Sequence, residues 1–174
     1  MIIKKYNIIL QPVEEEDAEL IIAFRTDSKK SRYISETKND IELQKEWIRS
    51  YKEREKDNKE FYFIAVDEKG EKYATYRLYH IENDICEIGS WVSKPGYTNA
   101  TNSIKVDIIM KEFAFELLKC EKVKFEVNKS NHSVIKYHKL FAPIIVDEEG
   151  DIIKFILDKN NFEINRNRIF KNIK

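Results

Sequence analysis

The sequence predicts an α+β protein built on a mixed, mostly antiparallel sheet. Residues 61–93 alternate with a period of two between short turns, which is typical of an antiparallel meander. The stretch Cys86–Phe115 then has the pattern of a strand, a loop of small polar residues and a long apolar helix. With the segments on either side, the predicted order is β-α-α-β-β-β-α-β-α-β-β.

The first 59 residues predict one strand and two helices. A β-like run covers Tyr6–Val13, and acidic residues from Glu14 favour the first turn of a helix that ends near Thr26. The second helix is expected to begin at Asn39 or Asp40 as its cap. Its predicted apolar face consists of Leu43, Trp47, Ile48 and Tyr51.

The rest of the chain predicts six more strands, of which the first three form the meander, and two more helices. The expected strands are Phe61–Asp67, Lys72–Ile81, Ile85–Ser93, Lys122–Asn128, Pro143–Asp147 and Asp151–Asp158. The expected helices are Thr101–Leu118, largely buried, and Asn131–Phe141. We predict a single domain over residues 1–160, followed by a polar helix or tail over 161–174.

The composition excludes several classes of protein. The 31 basic and 31 acidic residues balance, which argues against nucleic acid or an anionic membrane as the partner. No signal peptide or membrane-spanning apolar run is present, and no P-loop, GxGxxG or HExxH motif occurs. The two cysteines lack metal-ligand spacing, so reduced thiols and a cytoplasmic protein are expected.

The loop before the long helix is the first candidate site. A strand that leads into a helix through such a loop presents free backbone N–H groups, which suit an anion such as phosphate. The candidate anion-binding residues are Thr98, Asn99, Ala100, Thr101, Asn102 and Ser103. The alternative is that this polar run only caps the helix.

Glu87 is the second candidate, because a carboxylate in a central strand is costly to bury unless it is paired or functional. It is interpreted as a general base, a structural carboxylate paired with Arg77, or an exposed side chain. Regular alternation predicts that Glu87, Gly89 and Trp91 share one face of the sheet.

Four segments together resemble the GNAT superfamily of acyl-CoA-dependent N-acyltransferases, in particular the branch of the ribosomal-protein N-acetyltransferases. They are IILQPVEEEDAELI, EIGSW at Glu87–Trp91, FAFE at Phe113–Glu116, and Val127–Ala142 with its Asn131 and His138. The resemblance implies a central sheet of about six or seven strands with helices on both faces. It also implies a cytoplasmic bacterial enzyme, monomeric or homodimeric, that uses acetyl-CoA.

The sequence departs from the family in the phosphate loop. The family loop usually opens with a basic residue and carries paired glycines, whereas this loop has Gly96 alone and no basic residue at its start. A pyrophosphate is therefore expected to be held by a different loop shape. A chain that has kept the fold and lost the cofactor is the corresponding non-enzymatic alternative.

The resemblance assigns further roles to single residues. Backbone groups of Trp91, Val92 and Ser93 would bind the pantetheine arm, and Asn131 would contact the cofactor or cap its helix. Glu87 would act as base, commonly through water. His138 stands where many members place a tyrosine that protonates the thiolate; it is either that acid or a core histidine held by a backbone carbonyl.

The acceptor is expected between the first two helices, their loop and the adjacent strand. Arginine and aromatic side chains there suit an anionic or nucleotide-linked sugar, because guanidinium groups bind diphosphates and rings stack on bases. The candidates are Arg25, Arg32, Tyr33, Arg77 and Tyr79, with Trp91 beside them. A small amine, such as an amino sugar, is predicted; the alternative acceptor is a protein N-terminus or lysine.

Overall fold

The computed structural model describes residues 1–173 and shows an eight-stranded sheet with helices on both faces. The strands are β1 (Ile3–Lys5), β2 (Ile8–Pro12), β3 (Phe61–Val66), β4 (Lys72–Glu82), β5 (Ile85–Ser93), β6 (Lys122–Asn128), β7 (Ile144–Glu149) and β8 (Ile152–Asp158). Their order in the sheet is β1-β2-β3-β4-β5-β6-β8-β7. Among the described residues only β5 and β6 pair in parallel.

Within residues 1–173, five α-helices connect and cover the strands. They are α1 (Ala18–Thr26), α2 (Ile41–Lys56), α3 (Ala100–Glu112), α4 (His132–Lys139) and α5 (Lys159–Asn172). Short 3₁₀ turns at Glu15–Asp17 and Ser31–Tyr33 stand before and after α1. The predicted mixed α+β architecture is thereby confirmed, with one more strand than the pattern indicated.

The extra strand comes from the N-terminus. The sequence pattern started its strand at Tyr6, but Tyr6 and Asn7 both have positive φ and form the turn between β1 and β2. Such two-residue turns match the twist of a hairpin. Their usual signal contains glycine, which is missing here.

Two apolar clusters lie on opposite faces of the sheet. One face packs α1 and α2, through residues such as Ile21, Ile48 and Tyr51, against Tyr62 and Ile64 of β3. The other face carries the larger cluster, in which α3 and α5 pack on β3–β6 and β8. Within the C-terminal segment predicted as a helix or tail, α5 buries Phe162 and Ile169.

The long central helix differs from the prediction at its C-terminal end. α3 stops at Glu112 and continues as a π-helical turn over Phe113–Leu117. This wider turn rotates Leu117 outward, where it is 56% exposed although its spacing predicted a core position. By contrast, Asp40 caps α2 as expected and accepts a hydrogen bond from the Leu43 N–H.

None of the helices in residues 1–173 is both long and apolar enough to span a membrane. The thiols of Cys86 and Cys120 are free and buried.

Candidate active site

A cleft opens where β5 and β6 separate. The two strands pair only at Ile85–Glu87 against Lys122–Lys124 within the described chain. From Ile88 to Ser93, the edge of β5 that faces β6 pairs with no strand among the described residues. A cleft of about 510 Å³ lies between the two strands there. Its volume is in the range of small-molecule sites, and the open strand edge offers N–H and C=O groups to an extended ligand that carries amides.

Two β-bulges delimit the part of β5 that carries Glu87. The β4–β5 register shifts between Thr75 and Arg77 and again between Tyr79 and Glu82. A residue with positive φ stands at each shift, Ser90 at 51° and His80 at 49°. Bulges redirect side chains, and they recur next to functional sites.

The bulge at Ser90 corrects the predicted alternation. Trp91 stacks on Tyr76 with ring centroids 5.3 Å apart, and Tyr76 reaches Asp107 of α3. Trp91 therefore belongs to the face that α3 and α4 cover, whereas Glu87 lies on the face of α1 and α2. The extra residue reverses the order of side chains along the rest of β5.

The carboxylate of Glu87 is held by two neighbours on β4. The Tyr79 hydroxyl donates to Oε1 at 2.8 Å, and Nδ1 of His80 lies 2.9 Å from Oε2. Burial and the adjacent Glu87 raise the pKa of Tyr79. Glu87 lines the cleft and is 22% exposed, so it combines fixed geometry with access to a ligand.

Arg77, the predicted ion-pair partner of Glu87, is engaged elsewhere. Its guanidinium pairs with Glu60, a buried carboxylate that Arg54 also contacts at 2.6 Å. The Arg77 guanidinium also stacks on the rings of Trp47 and Tyr79. The pairing of Arg77 with Glu87 is therefore wrong, because Glu60 provides the carboxylate that the arginine binds.

Gly89 gives Tyr79 the space to reach Glu87. A Cβ at this position would lie 2.7 Å from the Tyr79 hydroxyl oxygen. No real Cβ approaches a heavy atom so closely, so any side chain here would displace the tyrosine.

Beneath the cleft lies a buried polar cluster that the sequence interpretation missed. Asp107 and Lys111 of α3 form a fully buried ion pair, and both Tyr76 and Tyr137 donate to the Asp107 carboxylate at 2.6 Å. Burial alone would raise the pKa of Asp107, but the Lys111 ammonium lowers it below its usual range. Burial lowers the pKa of Lys111. The spacing of an acid and a lysine four residues apart was present in the sequence, but its position inside an apolar helix gave no reason for a role.

His138 forms part of the cleft wall and is 4% exposed. Burial, and then the charge of Lys111, lower its pKa to about 3, so the ring is neutral at physiological pH. Nδ1 of this ring is buried and has no hydrogen-bond partner among the described residues, so no backbone carbonyl holds that nitrogen. The ring packs instead on Phe125, with centroids 4.4 Å apart.

The loop before α3 is shaped by its own side chains. Asn99 accepts a hydrogen bond from the Asn102 N–H at 3.0 Å, and the Asn102 side chain donates to the Tyr97 hydroxyl at 2.7 Å. Ser103 donates to the Asn99 carbonyl at 3.4 Å. The cap interpretation thus applies to Asn99, while the hydroxyl groups of Thr98 and Thr101 and the first N–H groups of α3 are the donors left for an anion.

The remaining predicted cofactor residues flank the cleft. The Ser93 hydroxyl accepts from the Lys30 ammonium at 2.8 Å, and Val92 is buried. Asn131 lines the cleft at the N-cap position of α4, where its side chain accepts from the Ser133 hydroxyl at 3.3 Å rather than from the helix backbone.

The predicted acceptor residues divide between two neighbouring cavities. Arg32, Tyr33 and Tyr79 line the cleft, whereas Arg25 and Arg77 line a second cavity. The second cavity lies between α1, α2 and their loop, and Ser35 and Ser90 border both cavities.

The loop between α1 and α2 crosses the mouth of the cleft. Tyr33 donates to the Ser130 carbonyl at 3.2 Å on the β6–α4 side, opposite the contact of Lys30 with Ser93 on β5. The guanidinium of Arg25 binds the loop at Thr37 (2.6 Å) and Ser35 (2.8 Å). These partners are neutral, so the charge of Arg25 is left for an anionic ligand.

The sequence matches the family model described as "Acetyltransferase (GNAT) domain" over residues 7–139. Among solved structures, "Apo FdhC- a nucleotide-linked sugar GNAT" is 30% identical, covers 100% of this chain and 99% of its own, and has a TM-score of 0.87. A ribosomal-protein-S5-alanine acetyltransferase from Vibrio fischeri is 13% identical over 93% of this chain and 98% of its own, with a TM-score of 0.78.

A third structure, spermidine N-acetyltransferase from Vibrio cholerae in complex with CoA and spermine, is 15% identical. It covers 91% of this chain and 99% of its own, with a TM-score of 0.74. A search of curated proteins gives no match. The chain belongs to the GNAT acetyltransferase family, and it is an acyltransferase.

Proposed function

We propose that this protein is an acetyl-CoA-dependent N-acetyltransferase whose acceptor is the amine of a nucleotide-linked amino sugar. The observation that carries this proposal is a pair of neighbouring cavities that share Ser35 and Ser90: a cleft that contains Glu87 and an open strand edge suited to the acyl donor, and a cavity containing arginines suited to an anionic acceptor. The nucleotide-linked sugar GNAT at 30% identity supports the acceptor class.

Arg25 is the group of the second cavity that best suits an anion. Arg25, Lys38 and Arg77 line this cavity together with the acids Glu36 and Asp40, and Arg77 is already paired with Glu60. Arg25 makes its contacts to neutral oxygens, and Lys30 likewise binds a hydroxyl. A diphosphate would gain charge-assisted hydrogen bonds from Arg25 in this cavity and from Lys30 in the cleft.

The cleft fits acetyl-CoA, which when bound supplies an acetyl thioester. The free edge of β5 at Trp91, Val92 and Ser93 would bind the amide-containing arm, and Asn131 borders the same cleft. Thr98, Ala100 and Thr101 would hold the pyrophosphate at the start of α3, whereas Ser103 already donates to the Asn99 carbonyl. Asn99 and Asn102 shape this loop through the hydrogen bonds they already make.

Glu87 is the proposed general base. An amine is protonated at neutral pH and must lose a proton before its nitrogen can attack a carbonyl carbon. Glu87 faces the cleft on the acceptor side, and its carboxylate is fixed by Tyr79 and His80. The step is a proton transfer from the acceptor ammonium to a Glu87 oxygen, directly or through one water, which leaves a neutral amine.

We propose that His138 shapes the cleft wall and does not act as a proton donor. Its pKa of about 3 leaves the ring neutral. A neutral imidazole is far too weak an acid to protonate a thiolate, whose conjugate thiol has a pKa of about 8.5.

The test is an acceptor panel with the full-length protein. Release of free coenzyme A thiol would be followed with nucleotide-linked amino sugars, the matching free amino sugars, spermidine and a peptide with a free N-terminus. We expect the nucleotide-linked sugars to give the highest kcat/KM, and removal of the nucleotide to raise KM more than it lowers kcat. A preference for spermidine or the peptide would overturn the acceptor class, and no thiol release with any amine would overturn the function.

A further inference from the structure

His80 has an unusual backbone and a position beside the proposed base. It lies in the bulge of β4 where the register shifts between Tyr79 and Glu82, and its φ is 49°. In a regular strand, neighbouring residues point to opposite faces. Here Tyr79 and His80 both contact Glu87, so the bulge brings two successive side chains to one carboxylate.

The two partners of Glu87 differ in their exposure to solvent. Tyr79 lines the cleft, whereas the side chain of His80 is 75% exposed and that of Glu87 is 22% exposed. His80 therefore connects a partly buried carboxylate with bulk water across one contact of 2.9 Å. The nearby charged and titratable groups are Tyr79, whose ring contacts His80, Arg77 beside the Tyr79 ring, and Glu126 of β6.

We propose that His80 is the proton exit of the site, the residue that carries the proton taken up by Glu87 to bulk water. This role rests on the proposed acyl transfer to an amine. Glu87 takes one proton from the acceptor ammonium. While Glu87 is a carboxylate, the neutral His80 ring donates its Nδ1–H to Oε2. Once Glu87 is protonated, solvent exchange at the exposed ring gives the Nε2–H tautomer, whose Nδ1 accepts the proton from Oε2; His80 becomes an imidazolium and Glu87 is again a carboxylate. The imidazolium then loses a proton from Nε2 to water, which restores the Nδ1–H tautomer.

His80→Asn separates proton transfer from positioning. Asparagine tolerates positive φ and places an amide donor where Nδ1 lies, but it cannot carry a proton. We expect kcat to fall about tenfold with KM for both substrates unchanged, which is modest for a proton-transfer group because water still reaches the site. Millimolar imidazole should restore kcat in this variant and leave the wild type unaffected.

The matched control is His132→Asn, which replaces an exposed histidine on α4 and should keep wild-type kinetics. A nitrogen-15 spectrum of the imidazole rings tests the contact itself: Glu87→Gln should shift the neutral His80 ring away from the Nδ1–H tautomer. An unchanged tautomer would contradict the contact.

An active wild type together with an equally active His80→Asn variant would overturn the proton exit alone. Loss of activity without rescue by imidazole would show that the ring only positions Glu87, and would also overturn the proposal. A wild type that acetylates no amine would overturn both the proposed function and the role of His80.

Discussion

At the scale of single residues, Gly89 determines how Glu87 is held. Its missing side chain allows the Tyr79 hydroxyl to approach the backbone of β5 and to donate to Glu87. Glu87 and Gly89 therefore act together. Glu87 supplies the carboxylate, and Gly89 leaves the space for the Tyr79 hydroxyl that donates to it.

Gly89→Ala should therefore lower kcat. The new Cβ would lie 2.7 Å from the Tyr79 oxygen and force the ring away from Glu87. Loss of a hydrogen bond to a charged group, about 1.5–3 kcal/mol, corresponds to a fall in kcat of roughly 10- to 100-fold. Steady-state kinetics test this, with Tyr79→Phe as the partner variant.

The double variant is the control for the mechanism. If Gly89→Ala acts through the tyrosine hydroxyl, it should have little further effect once Tyr79 is phenylalanine. Additive losses in the double variant would show that the glycine acts by another route.

His138 should make the free energy of unfolding depend on pH. The unfolded chain binds a proton near pH 6.5, whereas the folded ring, with a pKa of about 3, does not. Stability is therefore lost as the pH falls from about 6.5 towards 3, by up to about 1.4 kcal/mol per pH unit. In His138→Phe the loss across this window should be smaller, as measured by urea unfolding at pH 7, 6 and 5.

An identical pH dependence in wild type and His138→Phe would contradict the assignment of a buried neutral ring. Kinetics of His138→Phe also test whether His138 only shapes the cleft wall. A residue that donates no proton should affect KM for acetyl-CoA more than kcat when it is replaced.

At the scale of elements, α3 is more than an apolar support. Its Asp107 binds the hydroxyl groups of Tyr76 on β4 and Tyr137 on α4, and both rings contact Trp91 on the floor of the cleft. One carboxylate therefore ties three elements together. The Lys111 ammonium balances its charge inside the core.

Asp107→Asn should destabilise the fold by about 3–5 kcal/mol, because Lys111 would remain buried without a counter-charge. The double change Asp107→Asn with Lys111→Met should recover most of this loss. Thermal or urea unfolding measures both. A single variant as stable as wild type would mean that Asp107 and Lys111 are not ionised in the core.

The same pair predicts acid sensitivity with a defined sign. The folded-state pKa of Asp107 is lowered, so its contribution is present above its unfolded pKa of about 3.9 and is lost as the pH falls below that value. The double variant should lose less stability than wild type between pH 4 and 2.

Elements with strong periodicity were predictable, and exceptions to the period were not. The meander, helices α1 and α2, and the cap at Asp40 follow directly from spacing and residue type. The bulges at Ser90 and His80 are not visible in the sequence, because neither position carries the glycine that usually marks a positive φ. As a result Trp91 was placed on the wrong face.

At the scale of the whole molecule, the sheet separates two tasks. Glu87 and the arginine-containing cavity lie on the side of α1 and α2, whereas Trp91, His138 and the start of α3 lie on the opposite side. The cleft between β5 and β6 is the passage between the two sides.

The candidate site was predictable in outline from residues and family resemblance. Sequence named Glu87, the open strand at Trp91–Ser93 and the loop before α3; Glu87 and Trp91 line one cleft, whereas the loop lines a separate cavity. It could not show that Arg77 binds Glu60, or that His80 and Gly89 determine the surroundings of Glu87, because those contacts depend on pairing register between strands.

The most direct measurement compares wild type and Glu87→Gln in two assays, thermal unfolding with acetyl-CoA and turnover with a nucleotide-linked amino sugar. Acetyl-CoA at about a hundred times its Kd should stabilise both proteins by roughly 2.7 kcal/mol, a melting shift of about 5–10 °C. Only the wild type should then turn over at neutral pH. Equal turnover would remove Glu87 from the base role, and no melting shift in either protein would contradict acetyl-CoA binding in the cleft.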